Sequence, residues 1–298
     1  MNEIDRLVYL TIAYSSCFNF ALTAEEIFKR IPINSDLQYL FNLDKKNFKK
    51  IQISEQKINN ALKKMIKQSL IQTDGLYFFI KKKDLLNRIT KNNHRHLKKQ
   101  EAKDFVEMAK KIPFIKAVVL TGGAAVGNAA RDDDLDFMII CQKKTLWITR
   151  FLLILLIKLK NRRPGSKKPS AWCVNLLMDE NNLALDANRR TLYEAYEILQ
   201  MQFIFDRQNY QQNFLAANQW LKKYLFYYQN FHFISYRHHF AHSNSFLNYL
   251  FFYLQKTYRR LIFGPENFTL SLTQAFFNNV HFKEKLRQIL GKRLNSKY

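Results

Sequence analysis

Glycine is scarce in this chain, with 7 glycines among 298 residues, whereas an average protein contains about 7% glycine. A chain so poor in glycine is expected to use it where the backbone must turn tightly or approach a ligand closely. Three of the seven, Gly122, Gly123 and Gly127, fall within six residues. This segment is therefore the first place to look for a functional site.

Cysteine is also rare, and its distribution excludes two classes of protein. Cys17, Cys141 and Cys173 are widely separated, which matches neither the ligand spacing of a zinc site nor a disulfide framework. We expect buried free thiols in a reducing, cytoplasmic environment.

Long hydrophobic runs are missing as well. The most apolar stretch, 151–157, lies between Arg150 and Lys158 and is far shorter than the roughly 20 residues that a membrane-spanning helix needs. The N-terminal residues lack the order of charged and apolar segments that is typical of a signal peptide. We therefore expect a buried helix over 144–160 and no membrane partner.

Acidic residues are few, with 24 Asp and Glu against 48 Lys and Arg, so the formal net charge is +24. This charge is spread along the chain, and it favours a polyanionic partner such as RNA or DNA. A genome composition that favours Lys and Asn is the alternative explanation.

The glycine cluster is followed by a pair of carboxylates. Residues 115–121 and 135–141 are apolar and β-branched, which predicts two strands. Because alternate strand residues share a face, Asp134 and Asp136 are expected on one face, roughly 6 to 7 Å apart.

The repulsion between these two carboxylates would be relieved by Mg²⁺ (or Mn²⁺), which binds one or two carboxylates together with phosphate oxygens. Glycine-rich backbone can hold a phosphate, so the pattern predicts a metal-dependent nucleotide site. An ordinary glycine turn beside a solvated acidic loop is the alternative.

The motif resembles a known signature. Thr-Gly-Gly at 121–123 and Asp-Leu-Asp-Phe at 134–137 are similar to the signature of the DNA polymerase β-type nucleotidyltransferase superfamily. The surrounding segments 127–129, 146–150 and 217–220 resemble one prokaryotic branch, in which a winged helix precedes the catalytic domain and a helical region follows.

The resemblance implies an enzyme that transfers a nucleoside monophosphate from an NTP to an acceptor hydroxyl and releases pyrophosphate. The basic charge makes RNA, with tRNA as one candidate, the first choice of acceptor. By resemblance, Asp134 and Asp136 are catalytic and bind the metal, while Asp132 and Asp133 only flank them. By resemblance, Gly122 and Gly123 cradle the triphosphate. The other residues predicted to bind the nucleotide are Thr121, Gly127, Arg131 and Asn175, with a solvated loop arginine as the alternative for Arg131.

One position departs from the superfamily pattern. The third carboxylate is expected on a later strand, here 172–178, where this sequence has Asn175. An amide binds Mg²⁺ weakly and cannot act as a base. Asp179 would lie about 13 Å further along the strand, and Glu180 or Asp186 would serve only if a loop folded back. A non-catalytic DNA-binding regulator that senses a nucleotide is therefore the main rival function, and a toxin or antitoxin that nucleotidylates a partner is a third.

The remaining patterns predict an α/β (α+β) chain in four parts. Residues 1–83 are predicted to form a winged helix-turn-helix, from a Thr23/Glu26 capping box, a helix after Ser54 and a hairpin at 70–80. Such a module could bind DNA through its third helix, contact RNA or serve structurally. The other parts are a connecting helix (84–112), the nucleotidyltransferase domain (113–190) and a helical C-terminal domain (191–298).

Three further patterns lie in the second half of the chain. The aromatic stripes of the C-terminal domain are expected in its core, with base stacking as the minor alternative. The basic loop 161–170 could grip a phosphate backbone or be a plain solvated surface. Residues 237–242 fit the loose Arg-x4-His pattern of HEPN ribonucleases.

Overall fold

The computed structural model describes residues 1–33, 53–164, 170–233, 246–263 and 269–277. In this part of the chain, helices pack on both faces of a six-stranded mixed sheet, so the α/β prediction is confirmed. The helices are α1 (Glu3–Ser16), α2 (Ala24–Arg30), α3 (Glu55–Lys67), α4 (Lys82–Asn92), α5 (Arg95–Ala109), α6 (Gly122–Val126), α7 (Leu146–Leu159), α8 (Leu192–Gln200), α9 (Tyr210–Ala217) and α10 (Phe246–Phe263).

The strands form two sheets. A small hairpin pairs β1 (Gln72–Thr73) with β2 (Phe78–Phe79). The strands of the main sheet are β3 (Ile115–Thr121), β4 (Leu135–Cys141), β5 (Trp172–Asp179), β6 (Gln202–Asp206), β7 (Thr269–Leu270) and β8 (Gln274–Phe276). Their order is β6-β3-β4-β5-β8-β7, and β4 and β5 run parallel while the other neighbours are antiparallel. The strands predicted at 115–121, 135–141 and 172–178 are all present.

The main sheet is buried on both faces, because alternate residues of its central strands enter two different cores. Val119, Met138 and Ile140 pack with α1, α2, α3 and α8. Val118, Phe137 and Ile139 pack on the opposite face with α5, α7 and α10. The first core therefore contains the N-terminal helices together with one face of the sheet.

The N-terminal residues fold as the local patterns predict. The Glu26 amide donates to Thr23 Oγ1 (3.2 Å) and the Thr23 amide donates to Glu26 Oε2 (3.0 Å), which completes the capping box of α2. Helix α3 begins after Ser54, and the hairpin turns at Gly75, whose φ is 99°. The expected inner face of α3 is buried, namely Ile58, Ala61, Leu62 and Met65.

The structure differs from the sequence expectation in two regions. The connecting segment forms two helices, α4 and α5, instead of one. Beyond residue 191 the chain is not purely helical, since the helix expected over 192–203 ends at Gln200 and the next residues form β6, at one edge of the sheet. Strands β7 and β8 complete the opposite edge. The Arg-x4-His pattern and residues 165–169 of the basic loop lie outside the described residues.

The expectation of a buried helix over 144–160 holds for only one side of α7. Trp147 and Leu153 are buried on its inner side, whereas Ile154 and Leu155 are exposed on its outer side. The aromatic stripe of α10 is divided in the same way, with Phe252 buried and Tyr253 exposed. The cause is tertiary, because each helix is apolar around most of its circumference but has a neighbour on one side. No described helix is both long and apolar enough to cross a membrane.

Candidate functional site

The two aspartates predicted as catalytic lie where β4 begins. Asp136 is paired with Thr121 of β3, and Thr121 Oγ1 donates to the backbone carbonyl of Asp136 (3.2 Å). Asp134 directly precedes β4, and its Oδ1 accepts a hydrogen bond from the Ala171 amide (2.9 Å). Strand alternation places both carboxylates on the same side of the sheet, the side that the N-terminal helices cover.

Gly122 brings the backbone directly against the Asp136 carboxylate. Its φ is +63°, and a Cβ placed on it would lie 2.9 Å from Asp136 Oδ2, closer than a carbon and an oxygen approach without displacement. The expected glycine turn is in fact the beginning of helix α6. Gly123 is also confined, because its Cβ would lie 3.2 Å from the Asn128 carbonyl oxygen. Only glycine at position 122 satisfies both the backbone conformation and the available space.

Asn175 faces Asp136 from the neighbouring strand. It is the extra residue of a β-bulge, since Phe137 pairs with Val174 and Met138 pairs with Leu176. Bulges redirect side chains, and here Asn175 Nδ2 donates to Asp136 Oδ1 (2.5 Å). The amide thus lies beside the aspartate pair, where the resemblance implies a third carboxylate.

The other carboxylates considered as replacements are engaged elsewhere. Asp179 Oδ2 accepts from the Lys144 amide (2.6 Å), and Glu180 Oε1 accepts from the Lys143 amide (2.9 Å). Asp186 precedes a short 3₁₀ turn at Ala187–Arg189. None of the three is among the described residues that line the cavity next to Asp136.

This cavity has a volume of about 510 Å³, which is within the range of small-ligand sites. The central sheet and α6 contribute Thr121, Gly122, Gly123, Asp136 and Asn175 to its lining. The opposite wall comes from the first thirty residues and from α8, with Tyr14, Phe18, Phe20, Arg30, Tyr193 and Glu197. A ligand in this cavity would therefore contact both the N-terminal helices and Asp136, whereas Asp134 is not among the described residues that line it.

Two carboxyl groups in the cavity have raised pKa values. Burial, followed by the charge of Asp134, raises the pKa of Asp136 to about 6, although the hydrogen bond from Asn175 opposes this. Burial, followed by the charges of Glu194 and Asp136, raises the pKa of Glu197 to about 7. Like charges and low solvation both disfavour the ionised forms, and a bound cation would relieve the repulsion between them.

Glu197 and Arg30 also line the cavity, and no sequence pattern predicted either of them. Glu197 lies on the cavity side of α8, and no described residue donates a hydrogen bond to its carboxyl group or forms an ion pair with it. Arg30 is buried at the end of α2, with Nη1 donating to the Glu26 carbonyl (3.3 Å). No local signal could reveal either residue, because each reaches the cavity only through the packing of distant segments.

Two residues predicted to bind nucleotide lie outside the cavity lining. Gly127 (φ 75°) ends α6 in the left-handed conformation and is packed against the Arg95 side chain. Arg131 has an exposed side chain, and its carbonyl accepts from Ser170 Oγ (3.1 Å). Lys98 Nζ donates to Ser170 Oγ and to the Asp133 carbonyl (2.6 Å). These contacts hold the loop that leads into Asp134.

Asp134 and Asp136 are the candidate ligands for a divalent metal ion. In the described ranges, no three His, Cys, Asp or Glu side chains are grouped so as to hold a metal. Asp134 and Asp136 supply two carboxylates, which is the number that Mg²⁺ uses when water and substrate phosphates complete its shell. The residues therefore fit an ion that is bound jointly with a triphosphate, and they do not form an all-protein cage.

Comparisons of the chain with protein-family models, with curated proteins and with solved structures find no match.

Proposed function

We propose that this protein is a metal-dependent nucleotidyltransferase, in which a winged helix precedes a polymerase-β-like domain. The observation that carries the proposal is the contact between Gly122 and Asp136: a glycine in the left-handed conformation lies against one of two adjacent aspartates, at the edge of a cavity. This arrangement lets a triphosphate approach both the α6 backbone and the aspartates. The free cysteines are in keeping with a cytoplasmic protein.

In the proposed reaction, the acceptor hydroxyl oxygen attacks the α-phosphorus of an NTP and pyrophosphate leaves. Bound Mg²⁺ or Mn²⁺ would neutralise phosphate charge. Asp134 and Asp136 would hold that ion, and the amides of Gly122 and Gly123 border the space for the phosphates. Phosphoryl transfer depends mainly on the positions of the reacting groups and on stabilisation of their charge. The backbone contacts at Gly122 and Asp136 would supply this positioning.

The proton of the acceptor hydroxyl needs a base, which Asn175 cannot provide. Glu197 is the other carboxylate among the described lining residues, and its raised pKa suits proton transfer near neutral pH. We assign Glu197 this role within the proposed reaction.

Glu197→Gln is expected to lower kcat by about 10²- to 10⁴-fold, the usual contribution of a general base, with little change in KM for the NTP. The wild-type rate should rise with pH up to a plateau above about 7, because only the ionised carboxylate accepts a proton. Steady-state rates across pH test this.

Glu194→Gln is the matched control for this prediction. It removes a carboxylate one turn away that is hydrogen-bonded by Thr191 and whose charge raises the pKa of Glu197. This variant should remain active and shift the profile to lower pH. An unchanged kcat in Glu197→Gln would exclude Glu197 as the base.

The outer face of α3 supports a nucleic-acid acceptor, with RNA as the first choice. Its exposed lysines are Lys57, Lys63, Lys64 and Lys67, of which Lys64 also forms an ion pair with Asp5 (2.6 Å). An array of lysines on one helix face suits phosphate contacts. Competition between RNA and duplex DNA in a gel-shift assay, over a range of salt concentrations, would show which polyanion this helix prefers.

The central test is label transfer. Wild-type protein with each labelled NTP, Mg²⁺ or Mn²⁺ and pooled cellular RNA is expected to transfer label, and Asp134→Ala/Asp136→Ala is expected to abolish the transfer. Transfer that persists in the double variant would contradict the site assignment.

Asn175 is the observation that favours a second function, that of a nucleotide-sensing DNA-binding regulator. An amide bound to Asp136 would let the site hold a nucleotide without turning it over. Nucleotide binding without transfer to RNA or protein, combined with nucleotide-dependent binding to a specific duplex, would support the regulator.

A further inference from the structure

Exposed apolar side chains are concentrated on one part of the protein. Of the sixteen large hydrophobic side chains exposed in the described residues, eleven belong to α7 and α10. We call the surface formed by these eleven the α7/α10 face; they are Phe151, Ile154, Leu155, Leu159, Phe246, Leu247, Leu250, Tyr253, Leu254, Tyr258 and Leu261. Large contiguous apolar surfaces are unusual on soluble monomers and mark interaction sites.

The two helices form one surface because they pack against each other. The rings of Phe151 and Phe251 lie 4.7 Å apart, and Gln255 Nε2 donates to the Trp147 carbonyl (2.9 Å). On α10, Leu247, Leu250, Leu254 and Leu261 recur at helical spacing along one side. Internal contacts therefore occupy the facing sides of the helices and leave the outer sides uncovered by described residues.

The two helices that form this face carry charge of a single sign. Neither α7 nor α10 contains an acidic residue, and the sequence has none between Asp136 and Asp179 or between Asp206 and Glu266. Lys158 and Arg260 are exposed on the two helices. A groove beside Leu155 is bordered by Asp104 and Glu107, but Glu107 forms an ion pair with Lys110 (2.6 Å).

Two helices that expose apolar side chains and carry only cations restrict the choice of partner. A second copy of the chain would place these cations against their equivalents, and like charges repel. A nucleic-acid backbone would pair the cations but leave the leucines in contact with phosphates and water. An anionic lipid surface satisfies both features, since apolar side chains enter the acyl boundary while Lys and Arg contact the headgroups.

We propose that the α7/α10 face binds peripherally to an anionic membrane surface. The cytoplasmic leaflet is the anionic one, which agrees with the free cysteines. The sequence-based expectation of no membrane partner rested on the lack of a spanning segment, and a peripheral contact does not need one. The proposal is independent of the nucleotidyl transfer proposed above, because it concerns a different surface.

The test is flotation of the full-length protein with vesicles of phosphatidylcholine alone or mixed with phosphatidylglycerol. We expect binding to the anionic vesicles that weakens with salt. Leu159→Glu/Leu254→Glu should lower partition by more than about tenfold, because each substitution removes apolar burial and adds repulsion. Leu76→Glu/Leu86→Glu is the matched control, since both leucines are exposed on other elements, the β1–β2 turn and α4, and it should bind as wild type does.

A second pair of substitutions removes two cations of the α7/α10 face and leaves its apolar side chains unchanged. Lys158→Gln/Arg260→Gln should weaken vesicle binding by roughly 30-fold, from about fivefold per cation, without affecting the melting temperature. No binding to anionic vesicles, equal binding to neutral ones, or equal loss in the Leu76/Leu86 control would overturn the proposal. Concentration-dependent self-association that Leu159→Glu/Leu254→Glu abolishes, without vesicle binding, would assign the face to a second copy of the chain.

Discussion

Replacing Gly122 by alanine is expected to destabilise the protein by about 2–4 kcal/mol and to reduce nucleotidyl transfer by about 100-fold or more. The added methyl group would require a left-handed alanine and would lie 2.9 Å from Asp136 Oδ2. Both the backbone and the carboxylate must then move, and small displacements of positioned groups cost large factors in rate. Chemical denaturation and label transfer measure the two effects.

Gly75→Ala is the control that measures the backbone strain of an alanine at positive φ without the displacement of a neighbouring side chain. Gly75 also has a positive φ (99°), but a Cβ placed on it would have no atom within 4 Å. Alanine there should cost only about 1–2 kcal/mol of conformational strain and leave transfer unchanged.

A double-mutant cycle tests the contact itself. In an Asp136→Ala background the carboxylate oxygens are gone, so Gly122→Ala should cost no more than Gly75→Ala does. Equal destabilisation by Gly122→Ala in both backgrounds would show that the contact with Asp136 is unimportant.

Asp136→Asn is expected to abolish transfer, by more than about 10³-fold, because a neutral amide cannot replace a metal-binding carboxylate. Without divalent ions, the same variant should be more stable than wild type above pH 6, by on the order of 2 kcal/mol after allowance for partial exposure. The gain arises because ionising Asp136 is unfavourable in the folded state. A single substitution would thus increase stability while removing function.

The pH dependence of this gain follows from the raised pKa of Asp136. A folded-state pKa of about 6, above the ordinary aspartate value of 3.8, means that wild-type stability is lost as the pH rises from about 4 to above 6. The two proteins should therefore be equally stable near pH 4 and diverge above it, as measured by thermal melts in EDTA. Asp132→Asn, at an exposed position outside the cavity lining, should show no such divergence. The same difference between the two melting temperatures at pH 4 and pH 8 would contradict the electrostatic account of the site.

Local sequence patterns were sufficient where neighbouring residues determine the structure. Strands β3 and β4 begin and end at the predicted residues, because β-branched and apolar side chains favour a buried strand. The capping box of α2 and the inner face of α3 follow from hydrogen bonds and periodicity within a few residues. The scarcity of glycine and the position of Gly122 also pointed to the residue that contacts Asp136.

Long-range contacts decided what the local patterns missed. Glu197 comes from α8 and Arg30 from α2, so their presence beside Asp136 depends on how the N-terminal helices pack on the sheet. The bulge at Asn175 depends on the register between β4 and β5. Gly127, which the motif grouped with the nucleotide-binding residues, instead ends a helix, because neighbouring glycines can satisfy different backbone requirements.

The sequence by itself determined the strands, the adjacent glycine and aspartate motifs, and the excess of positive charge, since each depends on residue type and short-range spacing. Only the tertiary structure decided which carboxylates share the cavity, and which sides of α7 and α10 remain exposed. Both depend on contacts between segments far apart in the chain, and residue periodicity describes a helix without specifying how many neighbours will cover it.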